Sequence, residues 1–143
     1  IPPKVNSTTE YTLDWQITNT SNDLNNVIVK SVLPQGIEWT GNVINKSDKG
    51  QIFYNERTKE IVWNVGKVSA GAGVTMSVYE IIFQIALTPS INQVGAMPTL
   101  INESQIEGKD LFTGTILTKT ASAVNTSIPD DFKIGDSGEK VIQ

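Results

Sequence analysis

From Tyr11 to Thr18 apolar and polar residues alternate without a break. Tyr11, Leu13, Trp15 and Ile17 fall on one side, and Thr12, Asp14, Gln16 and Thr18 on the other. Side chains of an extended chain point to opposite faces with a period of two, so this run predicts a strand with one dry face and one wet face. It stops at a loop, Thr20-Ser21-Asn22-Asp23-Leu24-Asn25-Asn26, rich in residues that bond their own backbone and favour turns. Val27–Leu33 is rich in β-branched residues and predicts a second strand. Pro34-Gln35-Gly36 ends it, since proline cannot donate to a ladder. Ile37–Thr40 predicts a short strand bearing Trp39. Gln51–Asn55 and Glu60–Val65 read as the arms of a hairpin around Glu56–Lys59. Val74–Thr88 reads as a long strand whose phase changes near Met76 and Val78, which predicts a bulge or bend. Pro89–Pro98 reads as a loop. Leu100–Ile106 and Ile116–Val124 complete the set, joined by Gly108–Gly114. Lys4–Ser7 is read as a short first strand ahead of Tyr11.

No stretch carries a helical period. About seven to nine short strands separated by turns favour an antiparallel sandwich over a barrel or an α/β fold. The chain has 143 residues, enough for one domain with its own core. The domain is placed at residues 1–126. Residues 127–143, with Asp130, Asp131, Asp136, Glu139 and two glycines, are read as a flexible acidic tail or linker. Ile1-Pro2-Pro3 reads as an extended lead-in. The absence of an initiating methionine suggests a processed or excised piece.

Composition removes whole classes of chemistry. The chain contains neither cysteine nor histidine. Without cysteine there are no disulfides, thiolate nucleophiles or cysteine-held metals. Without histidine the commonest general base and transition-metal ligand are missing, and a Ser-His-Asp arrangement is impossible. The net charge of -4 is spread without a basic stripe, so nucleic acid and anionic lipid are not expected partners. The most apolar run, Val78–Leu87, is interrupted by Glu80 and Gln84. It falls short of the roughly 20 residues needed to span a bilayer as a helix.

Several motifs together carry a family resemblance. Tyr11-Thr-Leu-x-Trp-x-Ile-Thr-Asn-Thr is followed by Asn26-Val-Ile-Val, Leu33-Pro-x-Gly-Ile, Ile61-Val-Trp-Asn-Val-Gly and Ala70-Gly. In this order they resemble a bacterial conserved-repeat surface domain, catalogued as the domain of unknown function numbered eleven, over roughly residues 5–125. Segments such as Trp39-Thr-Gly, Leu87-Thr-Pro-Ser and Asp110-Leu-Phe-Thr-Gly are similar to surface proteins of uncultivated candidate-phylum bacteria. The resemblance implies an immunoglobulin-like antiparallel β-sandwich, extracellular and at the cell surface, often in tandem. It brings no catalytic motif.

Candidate site residues come from the remaining polar and aromatic positions. Trp15 and Trp63 lie on apolar strand faces and read as core anchors. Trp39, Tyr54 and Phe112 are the candidates for a ligand-binding, sugar-stacking surface, with core or edge packing the alternative for Trp39. Asp130, Asp131 and Asp136 are hard oxygen donors of the kind calcium takes, although their spacing does not match an EF-hand loop. A solvated linker is the favoured reading of them. Lys4 and Asn125, on the first and last strands, suit a Lys–Asn isopeptide crosslink. That reaction needs a protonated carboxyl between the partners, which burial favours; Asp14 and Glu80 are the candidate acids, and Lys30 and Asn64 an alternative pair. Acceptor sequons stand at Asn6, Asn19, Asn45, Asn102 and Asn125. Asp130 and Asp131, adjacent on a tail, do not form the facing pair that glycoside hydrolysis requires.

The sequence therefore reads as a non-catalytic extracellular module of a bacterial cell-surface protein. Its expected role is a structural spacer, or a repeating unit of a surface layer or filament; the alternative is an adhesion or carbohydrate-binding module. No cofactor is expected, with calcium as the possible exception. The expected partners are neighbouring domains, copies of the same protein, surface glycans or another cell surface, without membrane insertion by this segment.

Overall fold

The alternating run at Tyr11 becomes β1, Thr9–Ile17, a nine-residue strand whose faces are successively inward and outward. The computed structural model describes residues 2–127 and 140–143. After β1 come β2 (Leu24–Val32), β3 (Ile37–Asn45), β4 (Gln51–Asn55), β5 (Glu60–Val68) and β6 (Tyr79–Leu87). One turn of 3-10 helix, Ile91–Gln93, separates these from β7 (Thr99–Ile101), β8 (Ser104–Asp110), β9 (Ile116–Ala121) and β10 (Val124–Asn125). A three-stranded sheet has the order β1-β6-β3, and a five-stranded sheet the order β4-β5-β2-β8-β9; β7 and β10 form a small pair. Every pairing between these strands is antiparallel.

The core lies between the two sheets. On β6 the inward residues Tyr79, Ile81, Phe83, Ile85 and Leu87 are all buried. Opposite them sit Val27 and Val29 from β2 and Ile61, Trp63 and Val65 from β5. Trp63 is completely enclosed, and its indole N–H donates to the Lys49 carbonyl at 2.9 Å. Ser31, buried among these apolar side chains, donates to the carbonyls of Asn102 and Glu103. Among the described residues no buried side-chain polar atom lacks a partner, as a low-dielectric interior requires.

Several element boundaries differ from the sequence reading. The phase change expected inside a long Val74–Thr88 strand is the start of β6: the chain from Gly71 to Met76 is a tight turn, in which the amides of Val74, Thr75 and Met76 converge on the Gly71 carbonyl. The irregular ladders lie in β2 and β3 instead. Between Trp39 and Val43 three residues of β3 oppose one of β6, Gln84, and Gly41, at φ 87°, supplies the positive dihedral inside the bulge. Beyond that bulge β3 continues to Asn45, well past Thr40, because Thr40 and Asn42 bond Gln84 and keep the strand attached. Leu100–Ile106 divides into β7 and β8, and Ile116–Val124 into β9 and β10. β8 itself runs to Asp110, into the stretch read as a loop.

Residues 141 and 142, which the sequence reading places in a flexible tail, are docked on the domain. Val141 is 1% exposed and exchanges backbone bonds with Gly95 and Ala96. Ile142 bonds Pro3 and Val5, in a parallel bridge with Lys4. Apolar residues at 141 and 142 give this short piece something to bury, which the polar composition of the preceding stretch conceals. The N-terminal residues and the C-terminal residues thus lie at one pole, beside the end of β6. The opposite pole carries the β1–β2, β5–β6 and β8–β9 connections.

Candidate functional site

The two sheets have unequal widths, and this defines the site. Across the inner face of the wider sheet runs a register of Ile52, Trp63, Val29 and Ile106, one residue from each of β4, β5, β2 and β8. The fifth member, on β9, is Lys119. An apolar row therefore ends in a charge at the sheet edge. Leu117 and Ala121 share that inward face with Lys119, paired to Gly108 and Ser104, yet every residue of β9 is exposed. No strand of the narrower sheet lies over them.

β1 shows the same deficit from the other side. Its inward residues Tyr11, Leu13 and Trp15 are only half-buried, whereas their register partners on β6, Ile85, Phe83 and Ile81, are fully buried. The chemistry of the two sets is alike; what differs is that β6 has a strand on each side and β1 has one. The result is an open groove of about 300 Å³ between the free edge of β1 and the inner face of β8 and β9. Trp15, Ile17, Val29 and Ile106 form its apolar floor, and Gln105, Lys119 and Thr120 its outer wall. The Trp15 indole N–H reaches Ser104 Oγ at 3.2 Å and ties the two sheets together at its base.

The opposite side of the sandwich is closed. There β3 and β4, the edges of the two sheets, are joined by a short connection, and Trp39 of β3 stacks on Tyr54 of β4 with ring centroids 5.4 Å apart and planes 13° from parallel. Trp39 also meets Phe83 at 5.4 Å. Both rings are half-buried against the core. Phe112 does not join them. It projects from the β8–β9 turn at the far pole, 86% exposed. The structure brings together two of the three aromatic candidates and uses their faces on each other.

The Phe112 turn is firmly held. Asp110 Oδ1 accepts the backbone N–H groups of Phe112 and Thr113, at 2.8 and 3.0 Å. Asn22 Nδ2 donates to both carboxylate oxygens from the β1–β2 loop. These donors, the Asn22 amide first, hold the Asp110 carboxyl below the ordinary aspartate range. Nearby, Asp23 accepts the Ala70 N–H at 2.8 Å, and buried Asn19 bonds the carbonyls of Asn22 and Val68. No periodicity signalled this cluster; the Asn and Asp density of the loops was its only trace.

The crosslink candidates Lys4 and Asn125 have different backbone partners. Lys4 is exposed and bridges Ile142, while Asn125 pairs with Thr99 and its side chain accepts the Ser127 N–H at 2.9 Å. Lys30 and Asn64 stand on neighbouring strands, both exposed. The candidate acids sit on the outer face of the narrower sheet. Gln16 donates to both Asp14 and Glu80, and Lys46 lies 3.9 Å from Glu80. Desolvation, then the hydrogen bond to Glu80, raises the Asp14 carboxyl, whereas that same bond lowers Glu80. Asp130, Asp131 and Asp136 lie outside the described residues. Among the described residues no group of three or more His, Cys, Asp or Glu side chains is arranged to hold a metal ion, and no helix is long and apolar enough to cross a membrane.

No protein-family model matches the chain, and no curated protein does. Solved structures do. BcpA, the major pilin subunit of Bacillus cereus, superposes with a TM-score of 0.54 at 13% sequence identity, covering 87% of this chain and 36% of its own. Two domains of the major pilin SpaD from Corynebacterium diphtheriae give a TM-score of 0.46 at 13% identity, covering 87% of this chain and 48% of theirs. The chain thus spans about a third of one pilin chain and about half of the other. The fold is an immunoglobulin-like antiparallel β-sandwich of the kind found in a pilin subunit.

Proposed function

We propose that the chain is a non-catalytic structural module of a bacterial cell-surface protein, acting as a repeating unit or spacer of a surface filament. The observation that carries this reading is the match of nearly the whole chain to a domain-sized part of a major pilin subunit. Sandwiches of this kind are mechanically suited to the role, since most of their contacts join strands distant in sequence. The chemistry agrees with it. Histidine and cysteine are absent from the sequence, and the grouped acids Asp14 and Glu80 lie on an outer sheet face rather than in a cleft. Extracellular exposure follows from the same reading.

The adhesive alternative relies on Trp39, Tyr54 and Phe112 as a sugar platform. The Trp39–Tyr54 stack and the remote position of Phe112 favour the structural reading instead. Electron microscopy of the parent protein on cells and after purification tests it: filaments or ordered layers containing this module support it. Monodisperse particles that bind a defined glycan on an array would replace it with adhesion.

A further inference from the structure

We infer that the groove beside β1 is an acceptor site for one extended peptide strand supplied by a partner polypeptide. The site is described by three independent features. First, among the described residues β1 is an edge, paired on one side only by β6, and the groove lies along its other side. Unpaired backbone N–H and C=O groups in a row are satisfied by another extended backbone. Second, half-buried Trp15 and Ile106 line the groove, and Tyr11 and Leu13 continue the half-buried face along β1. A strand added next to β1 would turn the three-stranded sheet into a four-stranded one and cover the inner face of β9. Third, Lys119 closes the apolar row of Ile52, Trp63, Val29 and Ile106 and makes no ion pair among the described residues.

These features specify the ligand. Its backbone is extended and lacks proline at the pairing positions. Alternate side chains are apolar and face Trp15 and Ile106. One side chain on that same face is a carboxylate, opposite Lys119. The free edge and the charge of Lys119 together fit an extended segment of a partner polypeptide that carries one carboxylate. An unoccupied edge invites indiscriminate pairing, and an inward-facing charge is a known protection against it. At this groove Lys119 serves that purpose and also selects: an all-apolar strand would bury an unpaired ammonium, whereas a strand with a carboxylate there would not.

The test uses a short acetylated peptide of alternating valine and threonine, with glutamate at the central valine position, titrated into the purified chain by calorimetry. Companion peptides carry lysine in place of the glutamate, or N-methyl groups along the pairing edge. Hydrogen exchange follows the β1 amides. The expected result is binding of the glutamate peptide, slowed exchange in β1, and at least about tenfold weaker binding of the lysine peptide. Lys119→Glu, at an exposed position, should reverse that preference. Loss of binding on N-methylation is expected, because the backbone supplies the pairing. Three outcomes overturn the inference: no binding at millimolar peptide, binding indifferent to N-methylation, or self-association of the chain through β1 in sedimentation, which would make a second copy the donor. The measurement is made on the isolated module, so it is decided separately from whether the parent protein forms filaments.

Discussion

Trp63 carries out two tasks with one side chain. Its ring fills the space between Val29 and Ile52, and its N–H secures the loop after β3 by bonding the Lys49 carbonyl. Trp63→Ala should therefore cost about 3–5 kcal/mol in denaturant unfolding, in the usual range for a large buried aromatic. Asp110 works by charge rather than volume. Its carboxyl is lowered in the folded state, so it adds stability above the ordinary aspartate value of about 3.9 and loses it as pH falls through the lower folded value. Asp110→Ala should lower the melting temperature at neutral pH and narrow the gap to the wild type in strong acid. A gap independent of pH would remove the carboxylate from the explanation. Both residues stand in informative sequence patterns, yet only Trp63 was legible. Alternation marks an inward face, whereas the side-chain donor to Asp110 is Asn22, far away in sequence.

At the level of elements, the contrast between the two sides of the sandwich matters most. On the closed side the Trp39–Tyr54 stack joins the edge strands β3 and β4. A double-mutant cycle with Trp39→Leu and Tyr54→Leu should show a coupling of about 0.5–1.5 kcal/mol, as for other aromatic pairs; additive losses would mean the stack contributes nothing beyond burial. The connection between these strands depends on Gly50. It has φ 67°, and a Cβ there would overlap the Asn64 carbonyl on β5. Gly50→Ala should destabilise by more than about 1 kcal/mol, with the loss seen in the same unfolding experiment. The strands themselves were largely legible, since β1, β2, β4 and β5 follow two-residue alternation or β-branched runs. The bulge in β3 was not: Gly41 is one glycine among several, and only its opposite strand shows that two extra residues are accommodated there.

For the molecule as a whole, the docked residues Val141 and Ile142 alter the picture of the chain's end. Val141 is buried beside Val94. Val141→Ala should cost about 1–3 kcal/mol, near the value for burying such a side chain. If residues 140–143 instead contribute nothing, removing them will leave the unfolding midpoint unchanged. Both described ends of the chain lie at one pole, opposite the pole that carries the Phe112 turn.

The period of two, the turn residues and the lack of imidazole and thiol were enough to determine an antiparallel β-domain without nucleophilic or metal chemistry of the histidine or cysteine kind. These are local properties: each depends on a few neighbouring residues or on composition alone. Which strands became edges, how many lay in each sheet, that Trp39 meets Tyr54 while Phe112 stands apart, and that among the described residues a groove lies beside β1 were decided only by the tertiary structure. Strand order is set by the total burial available to all inward faces at once, and that sum does not exist until the sheets are stacked.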